Sequence, residues 1–284
     1  MFVLIGFVVV VVSIVVGFTM AHGNLILLIQ LPEFITICGA ALGSVLISAP
    51  ISTVKKMISE IIGTFSPKHN SKQDYMELLK SFNDLFLIAQ RDGLLAIEKH
   101  IETPESSDVL RANQKFLKND QARAFFCDTM KVMLSGGIPP HELESLIDSE
   151  IEVFESESKA APSVLQKTAD AMPGLGIVAA VLGIIVTMAS INEGAQTVGE
   201  HVAGALVGTF LGVLLSYGFL NPLATNIEHI VEERVQYLHT IKACIVAYAK
   251  GNPPIVAVEI ARRTIFSENR PSFSELENFV RGRS

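Results

Sequence analysis

Every basic side chain of this 284-residue chain lies in one of two segments, and the intervals left empty are the strongest constraint on its fold. No Lys or Arg occurs from Met1 to Val54 or from Thr168 to Glu233; Lys55–Lys167 carries 14 and Arg234–Arg283 carries 8. The empty intervals contain four stretches with no charged residue at all: Phe2–Met20, Phe34–Thr53, Ala171–Ile191 and Val202–Pro222, each 19 to 21 residues long. About 20 residues of α-helix cross a bilayer. A segment in lipid must satisfy its own backbone groups, which leaves helix as the state open to these stretches. The sequence therefore predicts an all-α membrane protein with four transmembrane helices, a large helical cytoplasmic loop and a helical cytoplasmic C-terminal tail. Residues 1–53 form the first pair of spans, 54–168 the loop domain, 169–222 the second pair and 223–284 the tail.

Composition points the same way. Charged residues make up 18% of the chain, against about 25% in soluble domains, and the mean hydropathy is +0.43. A net charge of −7 argues against a general nucleic-acid binder. Cys38, Cys127 and Cys244 are odd in number and far apart, which fits neither a disulfide framework nor a CxxC metal site. Phe2–Met20 lacks a basic n-region and its apolar run is too long for a signal peptide, so a retained anchor is expected. The connections Ala21–Glu33 and Asn192–His201 hold no basic residue, whereas Lys55, Lys56 and Lys167 flank the opposite ends of the spans. The positive-inside bias then puts both termini, the loop and the tail in the cytoplasm.

The spans differ in texture. The first is a Val/Ile run suited to lipid. Gly39 and Gly43, Gly204, Gly208 and Gly212, and the series Gly176, Ala180, Gly183 and Thr187 place small residues on single helix faces. Such faces let helix backbones approach closely. They serve plain packing, or they wrap another helix and line a narrow polar path, which the Thr209 hydroxyl could face. Pro173 and Pro222 sit at the cytoplasmic ends of spans three and four. Near a helix start a proline such as Pro173 is unremarkable. Beyond Pro222 the helical pattern continues through Ile227, Ile230, Val231, Leu238, Ile241 and Ile245, so a kink or hinge is expected there.

In the loop, Tyr75, Leu78, Leu79, Phe82, Leu85, Phe86 and Ala89 form an apolar helical stripe, followed by Gln90-Arg91-Asp92-Gly93 and a short amphipathic stretch with Glu98. Helices are also expected at Asp120–Leu134 and from His141 onward, with Gly136-Gly137 and Pro139-Pro140 between them. The last carries the acidic series Glu142, Glu144, Asp148, Glu150, Glu152, Glu155 and Glu157, a solvated face or a docking surface. Ser272-Phe273-Ser274-Glu275 has capping-box spacing.

Motifs of catalysis are missing. There is no GxxxxGK[ST], HExxH, GxSxG or GxGxxG, and no His pair at metal spacing, so neither an enzyme nor a cofactor is expected. A proton relay needs titratable groups within the membrane. The cores of spans three and four hold none, with Asp170 and Glu200 only at their edges. If ions pass here, the bilayer-buried part must borrow its titrating carboxylate from another chain.

The stretch AGALVGTFLGVLLSYGFLNP, Ala203 to Pro222, resembles the signature of the MotA family of flagellar motor stator subunits. The likeness extends to DAMPGLGIVAAVLG around Pro173, SEIEVFESE around Glu150 and NPPIVAVEIARRTIFSENRPSFSELE in the tail, and so covers essentially the whole chain. It implies a multi-pass protein of the bacterial inner membrane. Five copies would surround two copies of MotB, whose transmembrane Asp carries the ion and which anchors to peptidoglycan, and the ring would push the rotor protein FliG. Pro173 and Pro222 match prolines of conformational coupling, and Thr209 a channel-facing threonine. Ala180 falls where sodium-driven members carry threonine and proton-driven ones alanine, which implies protons rather than sodium. Glu98 and Glu150 match acidic residues of the rotor-contacting face. The basic partner falls at Gln90 in the best-known members, and here Arg91 stands next to it. A TolQ- or ExbB-like energiser is the alternative, though it would typically have three spans.

Overall fold

The computed structural model describes residues 2–66, 69–189 and 191–282, and among these there is no β-strand. Among the described residues twelve α-helices follow one another: α1 Phe2–Met20, α2 Leu31–Ser48, α3 Ile51–Gly63, α4 Lys72–Asp92, α5 Glu98–Glu102, α6 Gln114–Leu117, α7 Asp120–Ser135, α8 Pro140–Ala189, α9 Ala195–Val213, α10 Asn221–Ala249, α11 Pro254–Thr264 and α12 Phe273–Val280. Short 3-10 turns occupy several connections, and a π-helical segment, Leu214–Leu220, joins α9 to α10. Four helical segments among the described residues are long and apolar enough to cross a membrane: Phe2–Met20, Leu25–Ser48, Pro140–Ala189 and Ala195–Ala249. The chain forms two compact units, Met1–Pro67 with Glu157–Ile230, and Lys68–Ser156 with Val231–Ser284.

In the first unit, α1 has no buried residue, as a lipid-facing helix requires. It is held where Phe7 meets Phe219 edge-on, with ring centroids 5.1 Å apart. The second span ends sooner than its charge-free interval suggests. Pro50 cannot donate a backbone hydrogen bond and forces Ala49 into extended backbone, so α2 stops at Ser48 and α3 starts afresh at Ile51. The third span corrects a larger point. Pro173 is not near a helix start but 33 residues inside α8, which also tolerates Pro162. Ahead of Pro173, and on both sides of Pro162, the apolar stripe Leu143, Ile147, Ile151, Ala161, Leu165 and Ala169 is buried, and tertiary packing of that stripe outweighs the lost backbone bonds.

The second unit is built around α4. Its predicted stripe, Tyr75 to Ala89, is buried on one face, against which α11 and α12 pack. Phe82 stacks on Phe126 of α7 at 4.3 Å, Phe116 meets both rings edge-on, and Phe86 stacks on Tyr248 of α10 at 4.2 Å. The stretch past Pro222 is helical as expected, with Val231, Leu238, Ile241 and Ile245 buried in this unit. Gly93 ends α4 at φ +91°, a left-handed value that favours glycine. The Ser272–Glu275 capping box forms at the start of α12. A second box, missed in the sequence, starts α4: the Asp74 N–H donates to Ser71 Oγ while the Ser71 N–H donates to Asp74 Oδ2 at 2.6 Å.

Burial alone would push the Asp74 carboxyl up, but Lys115 Nζ at 2.6 Å and the Ser71 donors outweigh it and hold it below the ordinary value. A depressed carboxyl stabilises the fold above its unfolded pKa of about 3.9 and loses that contribution as pH falls through the lower native value. Replacing Ser71 with Ala should cost about 1 kcal/mol. Hydrogen exchange should show the first turn of α4 opening, and in the unaltered protein the same amides should lose protection only below about pH 4.

Candidate functional site

The sequence-predicted path residues meet where α8 and α9 cross. A Cβ at Gly176 would lie 2.8 Å from the Gly208 carbonyl and 3.0 Å from Gly212 Cα, and one at Gly212 would lie 2.6 Å from the Met172 carbonyl. Backbone therefore rests on backbone, and glycine is the residue that permits it. Ala180 is buried in this seam, its N–H edge facing Gly208. Thr187 is buried too and donates to the Gly183 carbonyl at 2.8 Å. The small-residue face of α8 is thus used within the chain, for packing on α9. Gly39 and Gly43 differ: a Cβ at either meets nothing within 4 Å.

Thr209 follows Gly208 and is half-buried. The hydroxyls of Thr36, Thr168, Thr187 and Thr225 bond back to carbonyls of their own helices, but among the described residues Thr209 has no such acceptor. Its hydroxyl is open to a ligand.

Pro222 lies just past the π-helical segment, in which the Asn221 N–H donates to the Ser216 carbonyl five residues back. With no N–H of its own, Pro222 cannot complete the α-pattern to Gly218, and the wider turn takes its place. A polar cluster that the sequence did not announce braces this bend. Gln166 of α8 donates to Asn221 Oδ1, and Asn221 Nδ2 donates to the buried Ser216 Oγ at 3.2 Å. Part of the signal was available, since Ser216 and Asn221 stand just before Pro222, but Gln166 joins them from another helix.

One carboxylate departs from the expectation that the membrane part carries none. Glu33, counted in the sequence as part of a connection, lies in the first turn of α2 and is buried against Gly183 and Gly208.

The charged residues expected to touch a rotor lie in the second unit. Arg91, at the end of α4, is exposed and forms a two-pronged pair with Asp92, Nε to Oδ1 at 2.9 Å and Nη2 to Oδ2 at 2.7 Å. That pair raises the guanidinium and lowers the Asp92 carboxyl from their ordinary values. Gln90 is exposed beside Arg91, and Glu98 opens α5 on the surface. Glu150 is exposed on α8, its carboxyl pushed up by partial desolvation and by the charge of Asp128. The acidic series is not all free. Asp148 pairs with Lys242, and Glu144 with Lys250 at 2.7 Å, both lysines on α10. Among the described residues no group of three His, Cys, Asp or Glu could hold a metal.

Residues 117–240 match the MotA/TolQ/ExbB proton channel family, which sets the class of protein, and residues 4–93 match the N-terminal region of Motility protein A. Motility protein A of Salmonella typhimurium is 34% identical over 281 residues, covering 99% of this chain and 95% of that protein. Chemotaxis protein LafT of Vibrio parahaemolyticus is 34% identical over 264 residues, 93% of each. The fold is similar to the structure of C. jejuni MotAB, with TM-score 0.79 at 21% identity over 95% of this chain and 98% of that one. It is also similar to the flagellar MotAB stator complex of Bacillus subtilis, with TM-score 0.75 at 20% identity over 96% and 97%. The chain belongs to the motility protein A family, the flagellar stator subunits within that class.

The seam makes a contrast testable. Gly212→Ala must push α8 and α9 apart and should cost about 1–3 kcal/mol, seen as a lower melting temperature in detergent. Gly43→Ala, in open space, should leave the melting temperature of the single chain unchanged.

Proposed function

We propose that this chain, with a MotB-type partner, conducts protons across the bacterial inner membrane and converts that flow into torque on the rotor protein FliG. The observation that carries the reading is the two-sided character of the α8–α9 pair. One side closes on itself through glycine, while Ile177, Val181, Ile184, Ile185, Leu206 and Val213 stand exposed and apolar. That outer surface suits neighbouring membrane helices, those of further copies and of the partner. Both solved relatives are described as MotAB, which supports MotB as the partner. The resemblance in the signature supports five copies around two of MotB, with the MotB aspartate carrying the ion. The basic residues flanking the spans support cytoplasmic termini, loop and tail.

Protons are favoured over sodium because the Ala180 side chain offers no oxygen to replace a cation's hydration shell, while Thr209 follows Gly208 in the seam. Pro173 and the bend at Pro222 would pass the movement on. Arg91, Glu98 and Glu150 would face the rotor. Exposed ion pairs are worth about 0–1 kcal/mol each and decay over about 8 Å at physiological salt. Weak, redundant pairs of this kind suit a contact that must be made and broken at every step.

Co-expressed with its partner in a host lacking both, the chain should restore swimming in sodium-free medium, and a protonophore should stop it. Swimming that requires sodium would overturn the ion assignment. Reversing Arg91 and Glu98 together should cut swimming speed severalfold at unchanged membrane levels. Undiminished speed would remove this surface from the drive contact.

A further inference from the structure

We propose that Glu33 is a second proton-carrying carboxyl of the ion path, distinct from the one a partner brings. The proposal rests on the proton-channel reading above. Among the described residues, Glu33 is the only acidic or basic residue that is buried, at 9% exposure. Its place is defined by two glycines. A Cβ at Gly208 would lie 3.1 Å from Glu33 Cγ, and one at Gly183 would lie 3.3 Å from Glu33 Oε1. The carboxyl thus occupies room on α8 and α9 that side chains would otherwise fill. The same point at Gly208 lies 3.3 Å from the Ala180 nitrogen, and Gly208 directly precedes Thr209. Glu33 therefore reaches, from α2, the crossing that holds both sequence-predicted path residues.

A polar group kept for structure is almost always hydrogen-bonded when buried. Glu33 has no hydrogen bond or ion pair among the described residues, and its carboxyl oxygens, unlike His201 Nδ1, are not sealed off, so water can reach them. An ionisable group set among membrane helices without a fixed partner is the signature of an ion route rather than of a brace. The surroundings supply a direction. On α2 the other titratable group is the Cys38 thiol, five residues on, and α8 has none from Ala171 to Ala189. On α9 the nearest are Glu200 and His201. His201 stands seven residues before Gly208, two turns along the same face, and its Nδ1 is buried without a partner. Between them Gln30, one turn before Glu33, rests 3.4 Å from the Cβ position of Gly204. His201, Gln30 and Glu33 make a polar track from the outer turns of α9 to the crossing.

The step is a simple transfer. An O–H bond forms at the Glu33 carboxylate as a proton arrives from outer water. It breaks as the proton passes to the next water or to the partner's carboxylate. No electrons move and nothing is consumed.

The test uses the full chain co-expressed with its partner, reconstituted in liposomes under an imposed pH gradient. Glu33→Gln keeps the size of the side chain and removes the exchangeable proton. It should lower proton flux at least tenfold with the amount of assembled complex unchanged, whereas Glu33→Asp should retain most of it. Flux in the Gln variant equal to that of the unaltered complex would reduce Glu33 to a packing residue while leaving the channel reading intact. An unaltered complex that passes no protons would sink both. Should the Gln variant fail to assemble, difference infrared spectroscopy on the unaltered complex decides. A carboxyl band that shifts in Glu33→Asp as the gradient is applied and released is expected, and a band indifferent to that substitution overturns the proposal.

Discussion

The backbone contact between α8 and α9 is the interaction on which the membrane part depends. Lipid tails are as apolar as leucine, so membrane helices gain little from hiding apolar surface and must associate through close fit. Gly176, Gly208 and Gly212 give that fit by removing side chains where one helix lies on the other. The consequence reaches beyond stability. With the glycine face between α8 and α9 consumed inside the chain, what remains outward on α8 is a sheath of Ile, Val and Leu, and the Gly39–Gly43 face of α2 also stays open.

Polar groups follow a different economy in each unit. In the second unit, Asp74, Lys115, Asp148, Lys242, Glu144 and Lys250 find one another across elements and in part neutralise one another's charge. In the first unit two groups of polar side chains stand out: Gln166, Asn221 and Ser216 at the π-helical bend, and Gln30, Glu33 and Thr209 around the crossing. A membrane helix tolerates such groups where they are satisfied or where they work. The first cluster is satisfied internally. The second is left open.

Much of this was legible in the sequence, for identifiable reasons. Charge-free intervals of bilayer length are unambiguous, and α1 matches its interval residue for residue. The stripe of α4 and the cap at Ser272 are local patterns that local physics enforces. What stayed hidden was non-local. Pro173 looked like a helix start because proline usually is one, yet the helix runs on through it on the strength of packing far upstream. The lysines paired to Glu144 and Asp148 lie about a hundred residues away in sequence, so a charge run could not reveal its own partners. Glu33 was overlooked for the opposite reason. It borders a span, and only the three-helix arrangement shows that its side chain turns inward.

The two irregular points of the paired helices stand side by side. Pro173 follows Met172, whose carbonyl bears on Gly212, and the π-helical segment begins two residues beyond Gly212. Pro173 withdraws the N–H that a regular turn would use, and the π-helical segment widens the turns opposite, so each helix is softest beside the spot where it touches the other most closely. Rods that are compliant at their point of tangency share a fulcrum: they can scissor there while the rigid stretches on either side keep their shape. Strain entering one helix is then expressed in both.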